Sequence, residues 1–484
     1  METKKKSDLI RAFVKGGFIS PADLLKILDL SKSIGNKYVL FGSRQDILFP
    51  LRHAGESQLE SEFQSIHINY ELGSDQSIHQ NIVSSYAAVN VVETTYWVKE
   101  DTYNVITDSF DYKPKLKINI VDPLQNLVPL FTGELNFIAS QEENYWFLYI
   151  RDLRKNSIIE RWPRLISAQD IPRISKALEE LFTRYLSFTA EELYMIIKND
   201  YVRMNYKPIN EKLKLSETTF PYYEGLNAML NSQYWLGLYW RNNQYDIEFM
   251  SEACKLCQQT NISNINIIPW KAFIVKGIKA ADRIKWQKLM GKFGINERHS
   301  SLELNWHLPV VDAEALELKR FLVRELDLQD ISTHGLTFAI KTSRDAFPFT
   351  SIVIEKDVST HSSQPELYTI YYAKDFNPNH IIYNTYARQV QKEIIPALLI
   401  ELSKLYFRQL NPERELHHEE VFEVPIKESL ITSYQCTHCL TVFDEKYGDP
   451  NSGVAPGSSF RDLPDTYRCP VCDNPGSNFV PITR

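Results

Sequence analysis

Apolar residues recur at three- and four-residue spacing from Ala22 to Ser33, a period that gathers them on one face of a helix. The segment Gly16-Gly17-Phe18-Ile19-Ser20-Pro21 leads into this run, and a strand is predicted from Lys37 to Phe41, followed by Ser43-Arg44-Gln45-Asp46-Ile47-Leu48-Phe49. A second copy lies near the middle of the chain. There Trp235-Leu236-Gly237-Leu238-Tyr239-Trp240 precedes a helix-like run from Ile247 to Gln258, then Ile265-Asn266-Ile267-Ile268 and Pro269-Trp270-Lys271-Ala272-Phe273-Ile274-Val275. Strand, helix, strand and strand recur in one order, so residues 1 to about 425 read as an internal duplication. Aromatic runs such as Tyr145-Trp146-Phe147 fit half-buried strand positions and core.

The chain has 484 residues, which at about 150 residues per domain suggests roughly three domains. No stretch approaches the roughly 18 to 20 apolar residues that a bilayer span needs. The start, Met1-Glu2-Thr3-Lys4-Lys5-Lys6-Ser7-Asp8, lacks the apolar core of a secretory signal, and a cytoplasmic location is expected. A net charge of -7 argues against nucleic acid as a partner.

The six cysteines form three pairs of equal spacing: Cys254 and Cys257, Cys436 and Cys439, Cys469 and Cys472. Cys254 and Cys257 share an amphipathic helix with Ile247, Met250 and Ala253, the pattern of core cysteines. The last two pairs differ in kind. A Cys-x-x-Cys turn converges two thiolates on one ion, and two such turns complete a tetrahedral sulfur shell that selects zinc or iron. Zinc ribbons commonly separate their knuckles by about 15 to 20 residues, and Cys439 and Cys469 lie further apart.

Between and around these knuckles the chain reads Tyr434, Phe443-Asp444, Gly448-Asp449-Pro450, Gly453, Pro456-Gly457, Phe460, Leu463-Pro464-Asp465, Tyr467 and Phe479. This order of aromatics, turns and cysteines closely resembles the rubredoxin family across nearly all of its small fold. The resemblance implies one iron atom, cycling between ferrous and ferric, held by Cys436, Cys439, Cys469 and Cys472. It also implies one-electron transfer to redox protein partners and an aromatic core of Tyr434, Phe443, Phe460, Tyr467 and Phe479. A segment this short needs metal ligation for stability. Two departures stand out: the family usually has glycine after each knuckle, where Leu440 and Asp473 occur here, and Tyr467 stands where a tryptophan is usual. Leucine tolerates the left-handed backbone poorly.

The duplicated region resembles the siroheme-dependent sulfite and nitrite reductases, in which a ferredoxin-like half-domain and a catalytic lobe each occur twice. Arg44-Gln45 matches the family's Arg-Gln pair, and Pro114-Lys115-Leu116-Lys117-Ile118 resembles its Lys-Phe-Lys stretch. By this resemblance Arg44, Lys115 and Lys117 are candidates for an anion or tetrapyrrole pocket, with the two lysines on one face of a strand. A second family arginine is replaced by Gln80, before Asn81. The family's [4Fe–4S] cluster has no cysteines here: Ser301 to Pro309 and Lys341 to Pro348 stand in their places. Siroheme therefore lacks support from cluster ligands. His307 is a candidate axial haem ligand but reads more simply as structural, and His417-His418-Glu419-Glu420 reads as charged linker.

The expected architecture is α+β: half-domain 1 (1–70), reductase-like lobe 1 (71–215), half-domain 2 (216–280), degenerate lobe 2 (281–412), linker (413–428) and rubredoxin domain (429–484). An electron carrier is expected in preference to a catalytic reductase, serving inorganic nitrogen or sulfur reduction, with a nitrite or sulfite reductase as a candidate partner. The alternatives are a siroheme- or tetrapyrrole-binding reductase fed by its own rubredoxin domain, and an interaction protein with a structural zinc site.

Overall fold

The computed structural model describes residues 9–52, 56–73, 78–151, 159–185, 189–200, 204–215, 220, 222–295, 303–342, 349–357, 366–410 and 433–482. The His417 to Glu420 tract and most of the Lys341 to Pro348 stretch lie outside them. The chain divides into two compact units, Met1–Phe407 and Arg408–Arg484.

In the large unit, the expected helices run Pro21–Ser33 and Ile247–Gln259. Each starts on a side-chain cap: Ser20 accepts from the Asp23 amide and Asp246 from the Phe249 amide, satisfying an orphan donor of the first turn. Each repeat also builds a five-stranded antiparallel sheet. The first runs in the order Tyr245–Asp246, Tyr38–Phe41, Ile47–Pro50, Leu9–Ala12, Tyr70–Gly73. The second runs Gly225–Ala228, Tyr234–Leu238, Ala272–Ile278, Ile265–Ile268, Phe18–Ile19. The two copies therefore exchange edge strands: Tyr245 pairs with Val39 in the first sheet, and Ile19 with Ile265 in the second. Their helices and inner sheet faces share one apolar core, which contains Ile27, Phe41, Phe249, Phe273 and Trp286. Cys254 and Cys257 are fully buried in it, as the helical pattern predicts, and burial pushes the Cys257 thiol up to about 12.

The two lobes repeat a second topology. In the first, Val83–Ser84, Ile118–Val121 and Leu135–Ala139 are parallel and Tyr145–Arg151 turns antiparallel. In the second, Trp306–His307, Phe338–Lys341 and Ile352–Lys356 are parallel, and Leu367–Ala373 and Tyr383–Gln391 complete the sheet antiparallel. Trp146 and Phe147 are buried from Tyr145–Arg151 on opposite sides of the strand, feeding two separate cores. No helix among the described residues is long and apolar enough to cross a membrane.

The C-terminal unit contains a three-stranded antiparallel sheet with Ser433–Cys436 at its centre, flanked by Val442–Asp444 and Phe479–Ile482. The five expected aromatics form its core around Phe460, which stacks on Tyr434 at 4.4 Å and meets Phe443 edge-on at 5.2 Å. Gly448, at φ 65°, sits where a Cβ would fall 2.6 Å from the carbonyl oxygens of Val454 and Ala455, so this turn requires glycine. The neighbouring Asp449 accepts from the amides of Asn451 and Ser452 and from the Tyr467 hydroxyl at 3.0 Å. Tyrosine at position 467 thus ties the core to the turn by a buried hydrogen bond.

Candidate metal centre

Cys436 ends the central strand of the small sheet, and Cys439 follows on the turn. Cys469 and Cys472 occupy a second turn built the same way. The Leu440 amide donates to the Cys436 carbonyl at 2.9 Å, and the Asp473 amide to the Cys469 carbonyl at 2.9 Å. The Cys436 amide donates to the Thr441 carbonyl and the Cys469 amide to that of Asn474, at 2.9 and 2.8 Å. Each loop closes through a left-handed residue, Leu440 at φ 63° and Asp473 at φ 57°. These are the two places where glycine is usual, and the turn is kept despite the side chains.

The four sulfurs lie within 4.8 Å of one another. Cys436 and Cys472 are 3.7 Å apart, and Cys439 and Cys469 are 3.4 Å apart. A tetrahedron with metal–sulfur bonds of about 2.3 Å has edges of about 3.8 Å, so the donor set fits one four-coordinate ion. The Thr441 hydroxyl lies 3.1 Å from the Cys439 sulfur. With the Thr441 amide it draws the Cys439 thiol down to about 6. The Asn474 amide donates to the Cys472 sulfur, yet burial and three adjacent sulfurs push that thiol up to about 12. Four neighbouring thiols cannot all ionise without a cation, and a metal ion removes the conflict.

The other candidate residues are placed differently. Arg44 precedes the strand Ile47–Pro50, and its guanidinium donates to Asn119 Oδ1 and to the carbonyls of Asn81 and Ile118, at 2.7 to 2.8 Å. Burial pulls it down to about 10. Lys115 and Lys117 do not share a strand face, because the strand begins only at Ile118. The amides of Lys115 and Leu116 donate to Glu179 and that of Lys117 to Glu134, while the Lys117 carbonyl accepts from the Glu134 and Leu135 amides at 2.7 and 3.1 Å. None of the three lines a described cavity, although Gln80 and Asn81 line a small one with Lys15 and Lys113. His307 is held neutral by burial and the nearby Lys271 ammonium, its ring edge-on to Phe349 at 4.5 Å.

Siroheme does not fit the described residues. The chain has no cysteines for the partner cluster, and Arg44 is committed to protein acceptors. A separate cavity of about 240 Å³ is lined by Lys271, a residue the sequence pattern marks only as part of the second repeat. Its signal was the residue type itself, a lysine at the turn where the first copy has Gln45.

Comparison with known proteins separates the two units. The rubredoxin family profile matches residues 433–479. Over 39 residues the chain is 54% identical to the high molecular weight rubredoxin of Moorella thermoacetica, covering 8% of this chain and 17% of that one. It is equally identical, over 39 residues, to the probable Rubredoxin-2 of Methanocaldococcus jannaschii, covering 8% of this chain and 69% of that protein. Identity to the probable rubredoxin HupI of Bradyrhizobium diazoefficiens is 42% over 52 residues, 11% of this chain and 75% of the relative. Among solved structures, the Mycobacterium tuberculosis NirA protein superposes with a TM-score of 0.62 at 13% identity, covering 81% of this chain and 79% of that one. The duplicated α+β fold expected from the sequence is thus found, and it is shared with that structure.

Proposed function

Since the chain belongs to the rubredoxin family through its C-terminal domain, we propose that it is a one-electron carrier whose large unit is a non-catalytic scaffold for a redox partner. The observation that carries this reading is the convergence of four cysteine sulfurs within 4.8 Å, inside a domain whose relatives are rubredoxins. When bound, iron supplies a couple that gains and loses a single electron. The chain's own residues hold that couple in place. Cys436, Cys439, Cys469 and Cys472 fix the ligand shell. The amides of Thr441 and Asn474 donate to sulfur, the kind of contact that sets an iron–thiolate potential. Leu440 and Val471, 64% and 70% exposed beside the cysteines, offer an apolar contact face.

Inorganic nitrogen or sulfur reduction is the process we assign to it, with a nitrite- or sulfite-reducing enzyme as partner. Support comes from the likeness of the large unit to the NirA fold together with the absence of cluster cysteines. A reductase fold without its cluster ligands keeps a shape suited to docking.

Full-length protein made with ample iron tests this directly. The expected result is one iron per chain, ferric-thiolate visible bands that bleach on adding one electron, and copurification of a nitrite or sulfite reductase. Colourless protein loaded only with zinc would overturn the carrier reading, and unaffected nitrite and sulfite assimilation in a deletion strain would overturn the assignment of partner.

A further inference from the structure

Within the large unit, a cavity of about 240 Å³ opens between the first five-stranded sheet and the second lobe. Leu9, Leu40 and Pro50 wall it from the sheet, and Trp306, Leu308 and Leu316 from the lobe. Into this mostly apolar space comes Lys271, only 6% exposed, and exposed Arg52 lies at its edge.

The two repeats show how unusual that lysine is. Gln45 and Lys271 occupy equivalent turns: each has a left-handed backbone, at φ 62° and 59°, and each amide donates to the carbonyl three residues back. Gln45 is fully satisfied, donating to the carbonyls of Ser84 and Ile267 and accepting from the Ser84 amide at 2.8 to 3.0 Å. Lys271 has one acceptor among the described residues, the Leu308 carbonyl.

Asp312, which lines the same cavity, and Asp46 attract it through space, but both make their contacts elsewhere. Asp46 faces Arg11 at 3.8 Å, and Glu303 pairs with the buried Lys319 at 2.5 Å. Asp312 caps the helix Ala313–Leu328 through the Ala315 amide and accepts from the Thr342 hydroxyl. No described carboxylate comes within ion-pair distance of the Lys271 ammonium. A buried cation without a contact ion pair is costly, and a ligand that brings a carboxylate into contact relieves the cost.

We propose that this cavity binds a small organic anion, a carboxylate on a flat apolar body of about ten heavy atoms, with Lys271 as the counter-charge. Burial and the neighbouring Lys319 pull Lys271 down to about 7 against the attraction of Asp312 and Asp46, and a carboxylate bound beside it favours its charged form. The inference does not depend on the iron site or on the identity of the redox partner.

The test uses iron-loaded full chain with trans-cinnamate as probe and cinnamamide as its uncharged analogue, followed by titration calorimetry. Cinnamate is expected to bind saturably at millimolar concentration or below, about tenfold or more tighter than the amide, since a charged hydrogen bond separates them. Lys271→Met is expected to abolish that preference, and Leu316→Phe, which narrows the cavity wall, to weaken both probes. Equal affinity for the two probes, cinnamate binding unchanged in either variant, or no saturable binding of cinnamate would each overturn the proposal. Should Lys271→Met fail to fold, the contrast between probes and the Leu316→Phe variant decide the matter.

Discussion

The C-terminal domain and the large unit are held together by different means. The small core consists of Tyr434, Phe443, Tyr467 and Phe479 with two of the metal-binding cysteines, Cys436 and Cys469, buried among them. The large unit buries whole layers of side chains from two repeats and two lobes, including Trp146, Trp162 and Trp286 at full burial. Apolar area alone sustains the second and falls short in the first, because a domain this small removes too little surface from water. Placing two thiolates inside the aromatic core makes metal binding and folding one event in the small domain. The difference teaches that the metal site is also the keystone of its own domain, while the large unit draws its core from apolar side chains of its own.

Three substitutions sharpen that contrast. The largest effect is expected from Cys436→Ser, which removes a buried ligand. Metal ligation in small thiolate domains is worth on the order of 10 kcal/mol, so the small domain is expected to unfold. Loss of visible colour with an unchanged melting transition for the large unit would show this, and colour retained at wild-type intensity would contradict it. Next is Trp286→Ala in the shared core of the two repeats, expected to cost about 3 to 5 kcal/mol. Denaturant unfolding should show the large unit weakened while the iron chromophore keeps its midpoint. A parallel shift of both would mean that the two units do not fold independently. Smallest is Leu440→Gly, which relieves a left-handed leucine and is expected to stabilise the small domain by up to about 1 kcal/mol. Slower release of iron to a chelator is the readout, and faster release would show that the leucine side chain protects the metal.

Much of this molecule was legible as a line of residues. The Cys-x-x-Cys pairs and the aromatics between them name the metal site, because those residues serve few other arrangements. The helices of the repeats follow from apolar spacing, and so does the burial of Cys254 and Cys257. Reading Lys115 and Lys117 as strand neighbours failed for a local reason: Glu179 captures the amides of Lys115 and Leu116, and no short-range pattern announces a carboxylate arriving from another element.

By itself the sequence determined the ligand set, the duplicated pattern of elements and the absence of cluster cysteines, all of which are properties of residue type and spacing. The tertiary structure alone decided that the repeats trade edge strands, that Arg44 spends its guanidinium on Asn81, Ile118 and Asn119, and that Lys271 meets a cavity with every nearby carboxylate already engaged. Those outcomes depend on which distant groups come into contact, and burial then fixes whether a charge finds a partner. Neither is encoded within the span of a single element.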